Sequence, residues 1–135
     1  MFVIFTLQGA RYAFDLARIA AVAEPLRCWP IPGAPACYRG AVNFHGSIIA
    51  VIDLAHFMDV SVCCVPEKMI VLSSETSSLA FLVESVLRIA PDQEATLLDP
   101  PQSQFTAATL MLTDGTAALL DIDAMVSVAE KLIAR

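Results

Sequence analysis

Charge is scarce in this chain. Asp, Glu, Lys and Arg together make up 16% of its 135 residues, against a hydrophobic fraction of 57%. The eight basic residues stand scattered singly from Arg11 to Arg135, and the formal net charge is -6. Nucleic acid requires Lys and Arg gathered on one face, so it is excluded as a partner. Long hydrophobic runs are missing too. A membrane-spanning helix needs about 20 consecutive apolar residues, and the richest stretch, Ala41 to Leu54, is broken by Asn43, His45, Gly46, Ser47 and Asp53. Membrane insertion is not expected. No basic segment precedes Phe2-Val3-Ile4-Phe5, so no signal peptide is read and the cytoplasm is the expected compartment.

Metal and catalytic patterns are also lacking. Cys28, Cys37, Cys63 and Cys64 fit no CxxC zinc spacing, and Val62-Cys63-Cys64-Val65 reads as small hydrophobes filling space. There is no GxSxG, P-loop, GxGxxG or HExxH pattern. The two histidines, His45 and His56, stand in unrelated contexts. Asp53, Asp121 and Asp123 lie where a strand passes into a helix, and there a carboxylate accepts first-turn amides without any catalytic role. No catalytic residue, metal or cofactor is expected. What remains is a module that binds other molecules, with apolar residues in surplus of what a small core takes up. A small hydrolase or metal protein on a β scaffold is the competing class, and zinc bound stoichiometrically by the cysteines would mark it.

The elements that are present are mostly strands. Phe2 to Leu7 and Tyr12 to Phe14 predict a hairpin about a turn at Gln8 to Arg11, and Asp15 caps a short helical turn before a strand over Ile19 to Glu24. Pro25, Pro30, Pro32 and Pro35 make the next segment a rigid connection. Extended segments at 40–44 and 47–52 join at His45-Gly46, and Asp53 caps a short helix with Leu54, Phe57 and Met58 on one face. Val60 to Val65 reads equally as strand or loop. Strands at Lys68 to Ser73 and Leu79 to Val83 flank a turn, with further extended chain to Ile89. Pro91 to Phe105 is the longest loop, and Asp114-Gly115 is the strongest hairpin signal. Ile122, Met125, Val126, Ala129, Leu132 and Ile133 recur at helical spacing, predicting an amphipathic C-terminal helix. Residues 1–135 read as one domain without a linker.

Five segments, in order, resemble the CheW family of chemotaxis coupling proteins. Phe5-Thr6-Leu7 with Tyr12-Ala13-Phe14-Asp15 is similar to its opening hairpin. Arg39-Gly40-Ala41-Val42-Asn43-Phe44-His45-Gly46, after Pro35, resembles the G-V-x-N-L-R-G motif, and Ile49 to Leu54 resembles the I-x-P-V-I-D-L strand. Leu82 to Val86 resembles a V-D-x-V element, and Leu119 to Asp123 the start of the closing helix. The resemblance implies a mainly β fold of two small SH3-like five-stranded barrels packed together, with short helices and the C-terminal helix, the boundary between the barrels not being assignable. It also implies a non-catalytic, cofactor-free adaptor that couples chemoreceptor cytoplasmic tips to a CheA-type histidine kinase, pairing barrel to barrel with the kinase's regulatory domain. Two positions depart from the family. His45 stands where the motif usually has Arg, and Ala21 where the V-x-E-V strand often has Glu. If those two family residues pair, their joint replacement leaves no stranded charge. Altered or weakened receptor recognition is the expectation, with barrel pairing retained. Ala21, Val22, Phe44 and His45 are the expected protein-binding residues, and exposed sheet edges and apolar patches favour weak homodimers.

Overall fold

Residues 1–60, 65–99 and 103–133 are described in a computed structural model of the chain. The chain forms β1 (Phe2–Leu7), β2 (Ala10–Asp15), β3 (Ile19–Ala23), β4 (Tyr38–Phe44), β5 (Ser47–Asp53) and α1 (Leu54–Phe57). It continues through β6 (Lys68–Leu72), β7 (Leu79–Val83), β8 (Ser85–Ala90), β9 (Thr96–Leu98), β10 (Thr106–Leu112), β11 (Gly115–Leu120) and α2 (Ile122–Ile133). One sheet has six strands in the order β8-β1-β2-β11-β10-β9, and the other has five in the order β3-β6-β7-β5-β4. The two ends of the chain build the first sheet and the middle builds the second.

Three apolar clusters follow from this arrangement. Ile4, Ala13, Ala90, Leu110, Leu112 and Ala117 fill the six-stranded unit. Val42, Ile49, Val51, Met69, Val71, Ala80 and Leu82 fill the five-stranded one. The largest cluster lies between them and includes the buried face of α2, namely Ile122, Met125, Val126 and Ala129. Strand alternation explains the division. Along β1, Ile4 points into its own sheet's cluster, while Val3, Phe5 and Leu7 point to the shared one. Phe14 is the aromatic bridge, with ring centroids 4.8 Å from Phe5 and 5.8 Å from Phe81 on the other sheet. The Tyr38 hydroxyl donates to the Ala129 carbonyl at 2.7 Å and fastens α2 to β4.

The mainly β architecture with a closing helix is as expected, although one sheet has six strands where five were expected. The added strand is β9, which pairs with β10 inside the segment read as one long loop. Thr96-Leu97-Leu98 is too short for periodicity to show. The hairpin at Asp114-Gly115 forms, but its two turn residues are Thr113 and Asp114; Gly115 opens β11 at φ +136°. The His45-Gly46 turn is as read, with both φ angles positive at 49° and 86°. Asp15, Asp53 and Asp121 accept the amides of Ala17, His56 and Ala124. Asp123 instead binds Arg18. Ser61 to Cys64, and with them the thiols of Cys63 and Cys64, lie outside the described residues.

The proline-rich connection does more than link β3 to β4. Trp29 forms a two-way backbone bridge with Ala41, both hydrogen bonds measuring 2.8 Å. Only glycine fits opposite it. A Cβ on Gly40, whose φ is +141°, would sit 2.4 Å from the Trp29 carbonyl oxygen. One extra residue on β4, Arg39, sits between the pairs Tyr38–Ile52 and Gly40–Val51, and this bulge carries its guanidinium to the buried Asp53 carboxylate at 2.8 Å.

Candidate partner-binding surface

The β4–β5 turn and β3 stand on either side of a groove of about 200 Å³. Phe44, His45, Ser47 and Ile49 form one side. Ala20 of β3, Val71 and Leu72 of β6, and Ser74, Ser77 and Ser78 of the following turn form the other. The turn that presents His45 is held locally, because the Asn43 side-chain oxygen accepts the Gly46 amide at 2.9 Å. His45 is exposed, and its ring meets Phe44 edge to face at 4.3 Å. Phe44 is half-buried against the cluster of the five-stranded sheet.

The four expected contact residues thus separate. Phe44 and His45 line the groove. Val22 is 42% exposed on the outer side of β3. Ala21 turns inward, half-buried against Val42, Val71 and their neighbours. A register shift between Ile19 and Ala21 leaves Ala20 as the extra residue of β3, and it is Ala20 that reaches the groove beside His45. Counting residues along the sequence does not reveal that bulge. The serines of the 73–78 turn were also missed as a wall. Their density, Ser73, Ser74, Ser77 and Ser78 in one short turn, was the available signal.

Among the described residues, no Asp, Glu, Lys or Arg lines this groove. A separate depression on the five-stranded unit is lined by Pro25, Leu26, Cys28, Arg39, Val65, Pro66 and Leu82, and there Arg39 binds Asp53. Burial raises the thiol pKa values of Cys28 and Cys37 above the ordinary one, so both favour the protonated form. His56 sits in α1, away from His45 in the chain and outside the groove lining. Among the described residues, no three His, Cys, Asp or Glu side chains are grouped to hold a metal ion. Among them, too, no helix is long and apolar enough to cross a membrane.

Two packed β units, a helix that seals the space between them and a neutral groove beside a rigid turn define a two-barrel protein of the SH3-like kind. The chain belongs to the CheW-like domain family, whose model matches residues 1–130. Its fold is similar to that of the scaffolding protein TtCheW from Thermoanaerobacter tengcongensis, with a TM-score of 0.85 and 20% sequence identity over 98% of this chain and 95% of that one. No curated protein matches the sequence.

Proposed function

We propose that this protein is a non-catalytic adaptor in chemotaxis-type signalling, working in the cytoplasm and coupling chemoreceptor cytoplasmic tips to a CheA-type histidine kinase. Family membership supplies the pathway. The observation that carries a binding role for this chain is the groove: a concavity lined, among the described residues, by no Asp, Glu, Lys or Arg, and bordered by an exposed His45 in a hydrogen-bonded turn and by the Phe44 ring. A surface of this kind takes up apolar and hydroxyl-bearing side chains without stranding a charge. Val22, Phe44 and His45 are assigned to the partner surface. Ala21 supports it from beneath.

A second reading has its own observation. The Arg and Glu that the family often has at the positions of His45 and Ala21 are absent here, and among the described residues no Asp, Glu, Lys or Arg lines the groove. On this reading the chain pairs with a kinase regulatory domain, or with another CheW-like domain, and binds receptor tips weakly. Titrating the purified protein with a CheA-type regulatory domain and, separately, with a receptor tip distinguishes the two. The first reading expects both to bind. The second expects only the regulatory domain, with receptor affinity gained by the His45→Arg variant. Failure of both partners to bind overturns the adaptor reading altogether.

A further inference from the structure

We infer that Arg18 and Asp123 are positioning residues for the groove, joining the closing helix to the groove's serine wall; this rests on the groove being the partner surface. Arg18 lies in the single turn between β2 and β3, where the chain passes from one sheet to the other. Its guanidinium makes two bonds to the Asp123 carboxylate, at 2.5 and 3.3 Å, and its Nε donates to the Thr76 hydroxyl at 3.1 Å. Its backbone carbonyl accepts the Ser73 amide at 2.9 Å. One residue therefore holds α2, the start of β3 and the β6–β7 turn together.

The turn passes that constraint on to the groove. The Ser73 carbonyl accepts the amides of Thr76 and Ser77, and the Ser73 and Thr76 hydroxyls lie 3.0 Å apart. Ser77 also donates to Glu130 of α2 at 3.4 Å, while the Ser78 carbonyl accepts the Ala50 amide on β5. Ser74, Ser77 and Ser78 are the wall facing Phe44 and His45. Arg18 is two-thirds buried and Asp123 mostly exposed, so the pair adds little to global stability. Its consequence is local. A planar, two-bond guanidinium–carboxylate contact fixes direction as well as distance, which a single bond does not. Ala20, two residues beyond Arg18, is carried by the same anchor on the wall's other flank.

The test uses Asp123→Asn, which keeps the side chain's shape and removes its charge, with Asp123→Glu as the conservative variant. In Asp123→Asn, amide hydrogen exchange at Thr76 and Ser77 is expected to quicken about two- to fivefold, the range of an exposed ion pair. Exchange in the core strand 79–83 is expected to stay unchanged, and Asp123→Glu should restore most of the protection. Affinity for a receptor tip should fall by a similar factor in Asp123→Asn and recover in Asp123→Glu. Unchanged exchange at Thr76 and Ser77 overturns the clamp, whatever the tip does. Quickened exchange with unchanged tip affinity in both Asp123→Asn and His45→Ala overturns the assignment of the groove as partner surface, and with it the positioning role.

Discussion

The two barrels close themselves by different means. In the five-stranded unit, the segment after β3 folds back so that the Trp29 backbone bridges to Ala41 on edge strand β4, with Gly40 making room. In the six-stranded unit, side-chain charges do the work. Arg88 on edge strand β8 binds Glu94 through two bonds, at 2.8 and 2.5 Å, and reaches Asp114 in the β10–β11 turn at 3.2 Å. Arg11 approaches the same Asp114 from β2 at 3.2 Å, and the Thr113 hydroxyl donates to Glu94 at 2.8 Å. A backbone bridge requires no titratable group, so the closure of the five-stranded unit does not itself depend on charge. A charge network responds to pH and salt, and it stands on the barrel that does not carry the groove.

The largest expected effect breaks the backbone closure. Gly40→Ala sets a methyl against the Trp29 carbonyl at a positive φ, and should cost about 2–4 kcal/mol in chemical denaturation. Gly9→Ala, also at a positive φ but with nothing within 4 Å, isolates the conformational part at about 1–2 kcal/mol. Next comes Asp53→Ala on the same barrel. It removes the α1 cap and the partner of Arg39, and should lower stability by about 1–2 kcal/mol, read as a shift in the denaturation midpoint.

The smallest effect lies on the charged barrel. The Arg88 guanidinium, followed by the Thr113 hydroxyl, holds the Glu94 carboxyl down at about 2, below its ordinary 4.5. A depressed carboxylate contributes stability that is fully present above its unfolded value and is lost as pH falls through the folded one. Arg88→Ala should therefore bring Glu94 back towards 4.5 in an NMR titration. Amide protection at Thr96 to Leu98 should then fall in the parent as pH drops from about 4.5 towards about 2, whereas in the variant it should already be lower at neutral pH and change little over that range. The five-stranded barrel should show no matching change.

Much of the fold was legible in the residues. The hairpins at Gln8-Gly9 and His45-Gly46, the caps at Asp15, Asp53 and Asp121, and the face of α2 as far as Leu132 all follow from local chemistry, whereas Ile133, expected on that face, is exposed. β9 was not legible, because three residues pairing at an edge carry no period. The Trp29–Ala41 bridge was hidden as well. Prolines rule out a central strand, and they say nothing against one bridged residue at an edge. At the groove, Phe44 and His45 were visible from their turn, whereas Ala20 and the serine wall depend on a bulge and on a turn packed against a distant helix. Those are long-range arrangements that no local pattern records.

The most direct test of the binding role is the affinity of a receptor cytoplasmic tip for the parent protein and for His45→Ala, measured by calorimetric titration with unfolding midpoints checked to be equal. The account expects the parent to bind and the variant to bind about tenfold more weakly, as a contact at the centre of a small interface should. Equal affinity in the two proteins would contradict it.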